Sequence, residues 1–463
     1  MKKTVLVALC ASSLGLGACE LEFQDLNNPS LESLRDTPTP AAVNSAATGL
    51  LIGARSGKSA QNGYVAHLGI LGRESYTFDG ADPRFVTEML ASPALAAGSP
   101  AFGGNLWVQP YANIRNANTL LTAVDKVSGV ADADKEAIRG FAKTMQALDY
   151  LMVAVTRDTN GVALDVGGGI NDLKPLEKDM TKVYAYIAGL LEESKAHLEA
   201  AGDTFPFPLS GGFAGYDTPA TFVKFNRAVK ARVEAYRQNW TGALEALSGS
   251  FVDTAKPLTE GTYYTYGVGT GDVTNGLTSP AIYAHPSIVT DALPNPDGGA
   301  AKDPDRQKAD CTPDAAQPFK CLDDRISDKV EKVALSAPYQ GLTSEYQFKM
   351  YEGSTASVPI IRNEELILLR AEANFQLGNL TAAEEDINLI RATAGGLPPV
   401  TLISENAVDI LLAERRYSLL FEGGHRWIDM RRYNRLQTLP KDKPEHFIHE
   451  RFPVPQAEQD ARQ

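Results

Sequence analysis

Apolar residues along the chain follow two different rhythms. Over much of residues 41–248 they recur at three- and four-residue steps, the period of an amphipathic helix. In "NLWVQPYANIRNANTLLTAVDKV" (105–127), Ile114, Asn118, Leu121 and Val124 share one face. In "DKEAIRGFAKTMQALDYLMVAVTRD" (134–158), Ile138, Met145, Leu148 and Met152 do the same. "AAVNSAATGLLIGARSG", "TKVYAYIAGLLEESKAHLEAAG" and "FVKFNRAVKARVEAYRQNWTGALEAL" add further helices, and short turns between them predict an antiparallel array. From about 249 to 358 the rhythm stops. Gly, Pro, Asp, Thr and Tyr dominate, as in "GTYYTYGVGTGDVTNGLTSPAIYAHPS". So long an irregular segment is functional or disordered, and its tyrosines favour an ordered loop layer on a helical scaffold, where binding commonly sits.

Two helical segments repeat. "KARVEAYRQNWTGALEAL" (230–247) lies over "RAEANFQLGNLTAAEEDI" (370–387), with Ala231 on Ala371, Trp240 on Leu380, Ala243 on Ala383 and Leu247 on Ile387. Each reads as helix, turn and second helix, with small residues where the helices cross. The unit resembles the tetratricopeptide hairpin, although the copies stand 140 residues apart and form no tandem array.

Charge narrows the function. The 463 residues carry 44 Lys+Arg against 57 Asp+Glu, a net charge of -13. An acidic chain argues against nucleic-acid binding, even though "ERRYSLLFEGGHRWIDMRRYNRL" (414–436) is dense in arginine and aromatic residues.

The N-terminus reads as a secretory signal: Lys2 and Lys3, an apolar run from Val5 to Leu16, then small residues. The run is shorter than the roughly 20 residues a membrane span needs. "LGAC", ending at Cys19, resembles a bacterial lipobox, which implies cleavage after residue 18 and acylation (palmitate among the chains) of Cys19. Ordinary cleavage is the alternative and leaves Cys19 a free thiol. Residues 19–40 then read as a polar tether and 41–463 as one domain, with the irregular region inserted between helical hairpins. Without Lys2 and Lys3 the net charge is -15. Of the four cysteines, Cys311 and Cys321 remain as a pair, expected to form a disulfide outside the cytoplasm.

Catalytic signatures are absent from the sequence. None of the six histidines has H-E-x-x-H spacing, and no G-x-S-x-G elbow or P-loop occurs. Two thiols without nearby histidines make half a zinc site, and no metal or cofactor is expected. Aromatic residues on loops are the better clue, because their faces stack on the apolar C–H faces of sugars. Tyr76 and Phe78 sit with Arg84 in "GRESYTFDGADPRF". Tyr264, Tyr266, Tyr283 and Tyr346 lie in the irregular region, beside Tyr263, Tyr339 and Tyr351. Trp107 is a further platform or a packing residue. The alternative for all of them is that they pin loops to the body.

Four motifs in order resemble the RagB/SusD family of surface lipoproteins: "LWVQPYANIRNAN" (106–118), "PIIRNEELILLRAEANFQLGNLTAAEEDINLIRATAGG" (359–396), the arginine-rich stretch at 414–436, and "RFPVPQAEQD" (451–460). The resemblance implies a mostly α fold, a SusD-like superhelix of four tetratricopeptide-like hairpins with a large irregular loop-rich half. It also implies a role: an outer-membrane, lipid-anchored surface protein that captures oligosaccharides. Such proteins pass their ligand to a SusC-like TonB-dependent transporter and are not enzymes. A peptide or other nutrient binder on the same fold, or a hairpin adaptor that binds only proteins, are the alternatives. The arginine-rich stretch itself reads as an internal lock. Helix "AVDILLAERRYSLLFEG" is expected to end at Gly423-Gly424. Glu414 and Glu422 have Arg415, Arg416 or Arg426 within reach, Asp429 has Arg432 at i+3, and Trp427 packs inward.

Overall fold

Several helix starts in this chain are set by side chains that satisfy the first free backbone N–H groups. Thr39 accepts from the Ala42 N–H at 3.2 Å, with Pro40 in the first turn. Asp179 accepts from Thr181 at 3.0 Å. Thr218 and Thr221 form a reciprocal capping box across the first turn, which Pro219 opens. The computed structural model describes residues 34–99, 103–168, 172–295 and 318–463. The expected signal peptide, Cys19, most of the tether and Cys311 lie outside the described residues; Cys321 is disulfide-bonded.

The fold is mostly α. Among the described residues the helices of eight or more residues are α1 (Pro40–Arg55), α2 (Tyr64–Leu71), α3 (Asn105–Lys126), α4 (Asp132–Arg157), α5 (Met180–Glu199), α6 (Pro219–Tyr236), α7 (Trp240–Ser248), α8 (Asn363–Gln376), α9 (Leu380–Thr393), α10 (Ala407–Ser418) and α11 (His425–Arg432). Among the described residues eight short strands join them: β1 (Ser75–Thr77), β2 (Val162–Ala163), β3 (Leu176–Glu177), β4 (Gly261–Tyr264), β5 (Ile282–Ala284), β6 (Val330–Lys332), β7 (Tyr346–Phe348) and β8 (Val358–Arg362). They form antiparallel two-stranded sheets, β1–β5, β2–β3, β4–β8 and β6–β7.

The helices stack in series. Helix α1 packs on α3, α3 on α4, α4 on α5, α5 on α6 and α6 on α7, after which α8 packs on both α6 and α7 and on α9. The two repeated hairpins, α6–α7 and α8–α9, are therefore neighbours in space. The 122 residues between the copies hold the irregular segment, with the β4–β8 sheet closing its neck. Both hairpins turn on a left-handed residue at the same place, Gln238 (φ 60°) and Gly378 (φ 83°).

Helix α4 is the central member and is buried almost without break from Ala137 to Arg157. A Cβ on its Gly140 would lie 2.5 Å from Leu198, so the missing side chain is what lets α4 and α5 meet. Polar groups at this junction satisfy one another. Asn226 Nδ2 donates to Thr144 Oγ1 and Ser194 Oγ, both at 3.0 Å, tying α4, α5 and α6 together.

Candidate functional site: an aromatic platform on the irregular half

Strand β1 pairs with β5 so that Tyr76 faces Tyr283. Side chains two apart on a strand share a face, so Tyr76, Phe78 and Tyr283 come together. Phe78 stacks on Tyr76 (centroids 5.2 Å, interplanar 19°) and touches the ring of Tyr283 at 5.2 Å. A fourth ring, Tyr339, arrives from a distant loop, 5.5 Å from Phe78. Tyr76 is buried, whereas Phe78, Tyr283 and Tyr339 are half-buried.

Carboxylates border this surface. The Tyr339 hydroxyl donates to the backbone carbonyl of Asp79. Its pKa is raised by burial and by the Asp79 and Asp82 charges. Gln61 Nε2 donates to Asp79 Oδ2 at 2.7 Å, and Ser279 Oγ donates to Gln61 Oε1 at 2.7 Å. Arg84 is exposed and grips Asp82 with two bonds of 2.8 Å, which hold the Asp82 carboxyl below its ordinary range.

A buried layer sets the platform from behind. His285 lies 4.8 Å from the Tyr76 ring and bonds Asp442 through Nε2 (2.9 Å) and Ser287 through Nδ1 (2.9 Å). Tyr76 also hydrogen-bonds Asp442. Burial opposes ionisation of Asp442, but the bonds from His285 and Tyr76 outweigh it and hold the carboxyl at about 2. Among the described residues no three His, Cys, Asp or Glu side chains converge as metal ligands would.

The other aromatic candidates lie elsewhere. Trp107 is only 4 % exposed, with Tyr111 at 4.6 Å and the Arg157 guanidinium over its ring; it lines a separate cavity with Tyr111 and Arg115 and takes no part in the platform. Tyr264 lines an internal cavity, and Tyr266 is buried. Tyr346 is half-buried on β7 beside Phe319. Tyr339 and Asp79 join the platform only through long-range folding. In the sequence both were visible merely as members of aromatic- and acid-bearing loops.

The arginine-rich stretch is internal, but its ion pairs differ from those expected. Glu414 meets Arg325 (2.8 Å) and Arg391 (2.6 Å), while Glu422 meets Arg362 (2.8 Å) and Lys329 (3.1 Å). Arg415 takes Asp429 (2.6 Å), and Arg416 takes Asp291 (3.0 Å). Arg426 donates to the Gly72 carbonyl at 3.0 Å. Residues adjacent on a helix point in different directions, so Glu414 cannot face Arg415. The i+3 pair does form, with Asp429 and Arg432 at 3.0 Å, and Arg432 continues to Glu372 at 2.6 Å. Trp427 is fully buried and donates its indole N–H to the His449 carbonyl at 2.8 Å. Helix α10 ends at Ser418 rather than at the glycines, because Phe421 takes φ 55° and stacks flat on Phe348, 4.0 Å away.

No helix among the described residues is long and apolar enough to cross a membrane. Residues 338–461 match the model of the SusD family. A stretch of 88 residues is 38 % identical to SusD-like protein P38 of Formosa agariphila; the match spans 17 % of this chain and 17 % of that relative's length. The fold is similar to a SusD-like carbohydrate binding protein of Bacteroides fragilis (TM-score 0.66, 15 % identity, covering 93 % of this chain and 99 % of the other). It is likewise similar to surface glycan-binding protein A of Bacteroides thetaiotaomicron in complex with laminarihexaose (TM-score 0.63, 16 % identity, 92 % and 98 %). A C-terminal stretch of 124 residues thus matches the SusD family model, and the chain as a whole is folded like SusD-like proteins.

Proposed function

We propose that this protein captures oligosaccharides on the Phe78–Tyr283–Tyr339 platform and passes them on without cleaving them. The observation that carries the reading is the half-buried ring cluster bordered by Asp79, Asp82 and Arg84. Aromatic faces bind the C–H side of a sugar ring, and the charged groups at the rim suit its hydroxyls. Two fold-similar proteins, a carbohydrate binding protein and a surface glycan-binding protein in complex with laminarihexaose, support the same class of ligand here. Acylation at Cys19 would tether the protein to the outer membrane, with a SusC-like TonB-dependent transporter as the receiver of the ligand.

Native gels cast with a panel of polysaccharides test capture, using the chain without residues 1–19. Retardation by one glycan with no release of reducing sugar is expected. Retardation by none, or hydrolysis that depends on a platform carboxylate, overturns the reading. Loss of fatty-acid labelling in Cys19→Ala tests the anchor, and co-purification of a transporter from membranes tests the partner.

A further inference from the structure

Between α4 and the β4–β8 sheet lies a cavity of about 70 Å³ that shares no lining residue with the platform. One water needs roughly 10–15 Å³ of such space. The carboxylates in its wall are already engaged. Glu365 takes two bonds of 2.6 Å from Arg232, and Glu422 is held by Arg362 and Lys329.

The polar groups left over can all act as donors. Lys58 is 6 % exposed, and no carboxylate lies within ion-pair distance of it among the described residues. Its Nζ rests 2.6 Å from Met152 Sδ, a weak acceptor. Tyr64 and Tyr264 flank it, with ring centroids 5.5 and 6.0 Å from Nζ. Neither tyrosine hydroxyl has a protein hydrogen-bond partner among the described residues, and His425 Nδ1 has none. Asp149 acts on Lys58 through space, but its carboxylate is turned to Asn113 at 2.7 Å. Leu148, Val155 and Ile428 make the rest of the wall apolar. A buried ammonium needs an acceptor, and apolar walls favour one that sheds water easily.

We propose that this cavity is a buried site for one small monovalent anion of the halide class, held by Lys58 Nζ and the hydroxyls of Tyr64 and Tyr264. The ion links the α1–α2 connection, which carries Lys58, to β4, which carries Tyr264. It thereby joins the helical scaffold to the irregular half. The proposal does not depend on what the platform binds.

The test uses the chain without residues 1–19, with bromide as the probe. Crystals soaked in bromide are expected to show an anomalous peak in contact with Lys58 Nζ. The thermal midpoint is expected to rise in bromide or chloride relative to sulfate at equal ionic strength. The rise is on the order of 3 °C at a hundredfold excess over Kd. Lys58→Met should abolish the rise. Should that variant fail to fold, Tyr264→Phe should reduce it. Water alone in the cavity, or a midpoint that responds to halide equally in wild type and variants, overturns the proposal.

Discussion

Arg362, the last residue of β8, clasps Glu422 through two parallel hydrogen bonds, Nε to Oε2 and Nη2 to Oε1, each 2.8 Å. The two are 60 residues apart, and both side chains are 6 % exposed. The pair fastens the neck of the irregular half to the turn after α10. Removing one member of a buried pair strands the other, which costs about 3–5 kcal/mol. Glu422→Ala is therefore expected to lower unfolding stability by several kcal/mol, and urea denaturation measures it. An unchanged midpoint contradicts the lock.

The platform predicts a separation of binding from stability. Phe78→Ala and Tyr283→Ala should each weaken glycan retardation at least about tenfold, ~1.4 kcal/mol, with little change in thermal midpoint. Tyr76 is buried beneath them, so Tyr76→Ala should lower both. If the Phe78 and Tyr283 variants bind as wild type, the ligand lies elsewhere.

Acid should destabilise the fold partly through histidines buried in neutral form. Burial lowers His67 to about 3 and His425 and His449 to about 4. Between the ordinary value near 6.5 and these folded values, the unfolded chain binds protons that the folded chain does not, so stability falls as pH falls. Glu74 and Asp149 work the other way. Burial raises them to about 7 and about 6, so their contribution falls as pH rises through that range. Comparing His67→Phe with wild type isolates one group. The variant should lose less stability between pH 6.5 and 4, and parallel profiles would refute the assignment.

The paired turns predict opposite effects from exchanging their residues. A side chain in the left-handed region costs about 1–2 kcal/mol. A Cβ on Gly378 would meet no atom within 4 Å, so Gly378→Ala tests the backbone alone and should destabilise by about 1 kcal/mol. Gln238→Gly should be neutral or mildly stabilising, since its relief of strain is offset by added unfolded-state freedom. Thermal melts of the two single variants decide it.

Much of the scaffold was legible because helix period, caps and the repeated hairpin are local properties. Ile138, Met145, Leu148 and Met152 share a face whatever the helix packs on, and all four are buried. The left-handed turns at Gln238 and Gly378 belong to the two segments that aligned by sequence. The platform was legible in part. Tyr76 and Phe78 share a face by strand alternation, but Tyr283 joins them only through the β1–β5 register. Tyr339 reaches Asp79 across 260 residues of chain. Nothing local distinguishes it from the tyrosines that merely pack.

The sequence alone determined which segments are helical, that two hairpins are copies, and that the arginine-rich stretch needed carboxylates inside an acidic protein. Those follow from short-range periodicity and from the cost of burying charge. Tertiary structure alone decided which carboxylates answer: Glu422 takes Arg362 and Lys329, and Arg415 takes Asp429. It also decided that Trp107 is covered while Phe78 is not. Partner choice and exposure depend on which distant surfaces meet, and that is set by the packing of the whole chain rather than by any stretch of it.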